Sequence, residues 1–230
     1  SSRFWFCLNG VAWYLSVQAF LYAIFPWLLA VLKKVDTRRL RCIAAAIFCA
    51  QFLFSFAIWK AGLSGKAIFY LTYLCPLFRA GDFAISCCMG CLYHSRKEER
   101  IPYGAFSLLE LAAVLFSGGC FFIAARQVGA LGAVAFRYNV LFTPSAVLLV
   151  WLLAVGKGVI SRLLSAKPFL WLAVLSPYGF LIHQVLIRYM ELAANKLGLT
   201  AHPVVWTLTV FLLTLCLSSF YKALERRMRK

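Results

Sequence analysis

Four ionisable side chains stand inside apolar stretches. Arg79 and Asp82 lie in YLCPLFRAGDFAISCCMGCLY, Glu110 in FSLLELAAVLF and His183 in LSPYGFLIHQVLIRYM. A charge at membrane depth is costly, and where it persists it faces a bundle interior, with a partner or on a substrate path. Arg79 and Asp82 are three residues apart, so on a helix they share a face and can pair. The pair reads as a structural ion pair, or as an Arg whose planar fork holds a phosphate or carboxylate. Pro76 and Gly81 permit a kink or a close approach beside it. His183 can make an interhelical hydrogen bond or work as an acid–base group near neutral pH. Ser176 followed by Pro177 reads as an N-cap and first helical residue, which predicts a helix start at Pro177. Arg188 and Glu191 can pair at i, i+3. Glu110 has no local partner, so it is either paired across helices or protonated.

The elements that must position these groups follow from composition. Of 230 residues, 63% are hydrophobic and 13% charged, with a mean hydropathy of +0.85. Soluble domains are about 45–50% apolar and about 25% charged, so the bilayer is part of this chain's solvent. Seven apolar segments span roughly residues 11–32, 42–59, 67–93, 103–125, 138–156, 169–195 and 203–221. Strict in/out alternation is missing and every backbone group must be satisfied in lipid, so the segments are helices. The expectation is an all-α, polytopic transmembrane helix bundle of about seven spans, forming a single membrane domain over residues 1–230.

The net charge of +17 does not mark a nucleic-acid binder, because the basic residues sit in short clusters between apolar runs. The loops alternate. KKVDTRRLR, HSRKEER, the segment with Lys157, Arg162 and Lys167, and the tail KALERRMRK are rich in Lys and Arg, and the loops between them are poor. Basic loops stay cytoplasmic. That places the residue 1 end outside a cell membrane and the carboxy terminus in the cytoplasm. The nine cysteines fall in or beside apolar runs and act as small apolar residues. Cys88 and Cys91 form a C-x-x-C without a second pair at zinc spacing, so no metal site is expected. In NGVAWYLSVQAFLYAIFP, Trp13 and Tyr14 suit an interface anchor, while Asn9, Ser16 and Gln18 add polar groups to a greasy segment. No Ser/His/Asp order and no H-x-x-x-x-D motif appears. The residues by themselves leave an enzyme and a transporter or flippase both open. A transporter would show internal repeats or paired broken helices, and the sequence displays neither.

Four stretches, in order, resemble the acyltransferase 3 family of integral-membrane O-acyltransferases of cell-surface glycans. The first runs from Asn9 through Trp13, Tyr14, Leu15, Ser16, Val17 and Gln18 to Tyr22 and Pro26. The second holds Pro76, Arg79, Phe83 and Gly90. The third holds Leu172, Ser176, Phe180, Leu181 and His183, and the last Tyr221 and Glu225. Gln18 stands where the family commonly has Glu, which removes a carboxylate there. Tyr14, Pro177 and Phe180 are further departures. The resemblance implies transfer of an acyl group, acetyl by expectation, from cytoplasmic acyl-CoA to a hydroxyl of a polysaccharide or lipid-linked sugar. Acetyl-CoA would be a co-substrate and no cofactor would stay bound. Membrane lipids and the glycan are the expected partners, with no nucleic acid. Arg79 would bind the coenzyme A phosphates or position substrate, with Asp82 beside it. Trp13 and Ser16 would line the cavity, and His183 would be an auxiliary catalytic group. The family's main catalytic His lies in a first span, and no such segment precedes Ser1. The expectation is therefore the carboxy-terminal part of a roughly ten-span acyltransferase, inactive alone.

Overall fold

The computed structural model describes residues 12–95, 102–130, 133–198 and 202–228, and Asn9 and the HSRKEER loop beyond Ser95 lie outside them. Within these residues the chain is helical, with no strand. Six helices are long and apolar enough to cross a membrane: Trp13–Leu32, Thr37–Lys60, Gly65–Ser95, Tyr103–Arg126, Lys167–Lys196 and Pro203–Met228. The expected span at 138–156 is different. Only Thr143–Val155 is regular helix, and 13 residues rise about 20 Å against a hydrocarbon core of ~30 Å. Many large apolar side chains, Trp27, Leu77, Phe121 and Phe220 among them, stay exposed, as expected of helices solvated by lipid.

The chain divides into two compact units, one of residues 17–163 and one of residues 1–16 with 164–230. The first unit contains most of α1 (Ala12–Leu32), then α2 (Thr37–Lys60), α3 (Gly65–Phe69) and α4 (Pro76–Ser95). It continues through α5 (Tyr103–Arg126), α6 (Val134–Arg137), α7 (Thr143–Val155) and nearly all of α8 (Val159–Leu164). Helix α2 packs along α4, and α5 along α7. Ile58, Ile68, Ala135, Phe136 and Val140 join α2, α3 and α6 in one core. Phe106, Ala113 and Leu152 join α5 to α7.

Two helical segments in this unit are interrupted, one of them a span. Between α3 and α4 the chain forms a π-helical turn, Tyr70–Leu74, and then breaks at Cys75, whose ψ of 119° is extended. Pro76 is the cause, since it disfavours helical backbone in the residue before it and has no N–H to give. The second interruption is the turn between α6 and α7, where Leu141 N–H reaches Phe136 O at 3.1 Å and Phe142 N–H reaches Asn139 O at 2.8 Å.

Glu110 is fully buried. Its carboxylate accepts the N–H groups of Gly158 (3.2 Å), Ile160 (2.8 Å) and Ser161 (3.3 Å). It therefore pairs across elements, with backbone amides at the start of α8. Gly158 is required there, because a Cβ would collide with the Glu110 carboxyl.

The second unit pairs α9 (Lys167–Leu197) with α10 (Pro203–Met228). Here the sequence expectation for Pro177 is corrected: the helix runs through it from Lys167. A proline inside a helix orphans the carbonyl four residues back. Ser176 Oγ donates to that carbonyl, Ala173 O, at 2.9 Å, so Ser176 repairs the helix instead of capping a new one. A further expectation fails. Arg188 and Glu191 are exposed, and the ion pairs among the described residues are Asp36–Arg39 and Arg79–Asp82. The span expected at 11–32 runs through Pro26. Gly179 brings α9 close to α10, where Thr214 and Ser218 approach its Cβ position at 3.5 and 3.6 Å. The Tyr178 hydroxyl donates to Glu225 across the same pair.

Candidate functional site

The two interruptions meet. Arg79, on the first turn of α4, sends Nε to the Tyr73 carbonyl at 2.9 Å, a carbonyl next to the break. Its Nη1 bonds Asp82 Oδ2 at 3.2 Å and Asn139 Oδ1, in the second interruption, at 2.9 Å. Asp82 Oδ1 accepts from Asn139 Nδ2 (3.1 Å), Gln51 Nε2 (3.2 Å) and, at the limit of bonding, Thr143 Oγ1 (3.5 Å). Gln51 Nε2 also reaches Phe78 O at 2.9 Å. It does so over Gly81, where a Cβ would sit 2.6 Å from that nitrogen. The guanidinium lies over the Tyr73 ring at 4.8 Å. Phe69, Tyr73 and Tyr138 pack against one another at centroid distances of 5.0–5.5 Å. Arg79 and Asp82 side chains are 18% and 25% exposed, so the pair is largely withdrawn from solvent. Among the described residues Arg79 Nη2 makes no hydrogen bond.

This free nitrogen belongs to a side chain that lines a cavity of about 520 Å³ between α4 and α7. The cavity begins at Arg79, Asp82, Asn139 and Thr143 and runs past Met89 and Val147 to Tyr93, Trp151 and Ala154. From Thr143 to Ala154 α7 rises about 16 Å. At the far end the Tyr93 hydroxyl donates to Ala154 O at 2.9 Å, and its ring meets Trp151 edge-on at 6.0 Å. The result is a long apolar cavity with one polar end, a form that suits an elongated ligand with a polar reacting group.

The structure thus joins Arg79 and Asp82 as the sequence predicts. Gln51, Asn139 and Thr143 escaped the sequence reading. Asn139 lies at the edge of an apolar run, and nothing in the spacing ties Gln51 to Asp82. Trp13, Ser16 and His183 belong to the other unit. There Tyr14 packs on Phe180 at 5.3 Å and Phe180 on the His183 ring at 6.0 Å. His183 Nδ1 lies 3.1 Å from Gly179 O. A carbonyl can only accept, so the bond places the neutral ring's proton on Nδ1 and leaves Nε2 as the basic nitrogen. Trp13 is half-buried and Ser16 is exposed. Gln18 Nε2 donates to the Tyr22 hydroxyl at 2.6 Å.

Six helices long and apolar enough to cross a membrane define a polytopic membrane protein, and a polar network joins its two interrupted helical segments. The sequence model of the acyltransferase 3 family, described as an acyltransferase domain, matches residues 1–222. The chain belongs to that family and is by class an acyltransferase domain. No curated protein and no solved structure matches it.

Proposed function

We propose that this chain serves transfer of an acetyl group from acetyl-CoA to a hydroxyl of a cell-surface polysaccharide or lipid-linked sugar, with the donor in the α4–α7 cavity. The observation that carries the reading is Arg79, with Nη2 making no hydrogen bond among the described residues, at the polar end of an apolar cavity whose α7 wall rises about 16 Å. The basic-loop rule makes the Tyr93–Ala154 end the cytoplasmic one, so the donor enters there and its thioester carbonyl lies at Arg79. As the acceptor oxygen attacks, the new C–O bond forms and the C–S bond breaks. The hydroxyl proton passes to a base and then to the departing thiolate. The carbonyl oxygen gains negative charge during the attack, and a fixed guanidinium N–H in a dry setting stabilises it. Asp82 keeps the guanidinium oriented and balances its charge between turnovers. His183, Trp13 and Ser16 lie in the other unit, and their roles, His183 as auxiliary proton partner and Trp13 and Ser16 on the substrate path, rest on the family resemblance alone.

The test uses membranes carrying the full-length protein and radiolabelled acetyl-CoA. Arg79→Ala and His183→Ala should each cut glycan acetylation at least tenfold while immunoblots show unchanged membrane abundance. Arg79→Lys, which keeps charge without the fork, should be impaired as well. Unchanged acetylation in both alanine variants defeats the assignment. A second reading is favoured by the paired interruptions around a polar centre, a pattern of transporters. A flippase would move labelled sugar-lipid across vesicles without acetyl-CoA; a transferase would not.

A further inference from the structure

On an adjoining face of α4, still within residues 17–163, lies a second cavity of about 520 Å³, which shares Ser86 and Gly90 with the first. The end of α1, the start of α2 and the last turns of α4 enclose it. Its walls are apolar, with Phe25, Leu29 and Leu32 from α1 facing Cys87, Gly90 and Cys91 of α4. Its polar rim is formed by Lys33, Asp36, Thr37 and His94. Asp36, the acidic member, is held by Arg39 Nε at 3.3 Å. Lys33, which lines the cavity, and Lys34 stand in the turn before α2, and Arg38 and Arg41 in the first turns of α2; none of the four has an acidic partner among the described residues. The combination is an apolar cleft between helices, open at a strongly cationic end.

We propose that this cleft binds an anionic phospholipid, one acyl chain between α1 and α4 and its phosphate against Lys33, Lys34 and Arg38. The inference is independent of the acyl-transfer reading. Three observations select this occupant. Phe25 to Lys33 covers about 12 Å of helix, close to the ~15 Å hydrocarbon depth of one leaflet. A free phosphate or a nucleotide would leave the apolar wall unfilled, whereas an acyl chain covers it. The rim's charge is unbalanced, which favours an anionic over a zwitterionic headgroup. Each Lys or Arg near an anionic surface is worth about fivefold in affinity.

The experiment takes the purified protein in mild detergent and measures retained lipid by native mass spectrometry. The probes are phosphatidylglycerol, phosphatidylcholine of the same chains, and coenzyme A as the soluble phosphate. Phosphatidylglycerol should be retained at least about tenfold better than phosphatidylcholine, and millimolar coenzyme A should not displace it. The triple variant Lys33→Gln, Lys34→Gln, Arg38→Gln should erase the preference, and Leu29→Trp, which fills the cleft, should reduce retention of phosphatidylglycerol several-fold. Both variants are to keep wild-type helicity by circular dichroism. Equal retention of the two lipids overturns the proposal, as does a preference that survives both variants. Displacement by coenzyme A overturns it too, and would assign the cleft to a soluble phosphate ligand instead.

Discussion

Removing the Asp82 carboxylate should destabilise the unit of residues 17–163 more than removing the whole ion pair. In Asp82→Ala, Arg79 keeps the Tyr73 carbonyl and Asn139 Oδ1 but loses its counter-charge. With the two side chains 18% and 25% exposed, water compensates little, and breaking such a pair from one side costs about 3–5 kcal/mol. Arg79→Met is milder. The carboxylate keeps the Gln51 and Asn139 donors, and the cost is about 1–3 kcal/mol. The double variant Arg79→Met/Asp82→Ala strands no charge; it removes one acceptor each from Gln51 and Asn139 and one donor each from Tyr73 O and Asn139 Oδ1, for about 1–3 kcal/mol. The cycle therefore gives a coupling of about 4 kcal/mol, and the double variant is more stable than Asp82→Ala alone. Reversible unfolding in mixed micelles with increasing dodecyl sulfate supplies the four free energies. Additivity to within about 0.5 kcal/mol, the behaviour of independent sites, would refute the reasoning that the two side chains hold one buried ionic network.

Two further outcomes follow from single contacts. Glu110→Gln should destabilise by about 1–3 kcal/mol through the buried amides of Gly158, Ile160 and Ser161. Gly158→Ala should do comparable damage by displacing the carboxyl. Because both break one contact, the double variant should cost little more than either alone in the same unfolding assay. Ser176→Ala should cost about 1 kcal/mol in the native background, since it strips the substitute donor from Ala173 O. It should cost almost nothing in a Pro177→Ala background, where the helix regains its own N–H. Equal costs in the two backgrounds would show that Ser176 does not repair the proline gap.

The helical bundle was legible because apolar run length and hydropathy decide it alone. The Arg79–Asp82 pair was legible because helical spacing fixes i, i+3 neighbours on one face. What stayed hidden depends on tertiary approach. Gln51 and Asp82 are 31 residues apart and meet only because Gly81 leaves room. Asn139 acquires its role from a turn that no periodicity marks. The local reading of Ser176–Pro177 was misled by a signal with two physical meanings. A Ser before Pro can start a helix, or it can mend one that passes through, and packing of α9 on α10 selects the second. Glu110 shows the same limit, because its partners are backbone amides that carry no sequence signature.

The network also explains why the position calls for arginine. An interrupted span leaves backbone groups that lipid cannot satisfy, and polar side chains must answer them. Arg79 Nε takes the Tyr73 carbonyl and Nη1 ties Asp82 to Asn139, so two of the three guanidinium nitrogens are spent on holding the two interruptions together. The third, Nη2, makes no hydrogen bond among the described residues, and it is the nitrogen that the proposed function assigns to the donor. A lysine presents one nitrogen, which cannot reach a carbonyl, a carboxylate and an amide oxygen in fixed directions. Arg79→Lys should accordingly lose activity even where Asp82 still pairs with the ammonium and the fold survives.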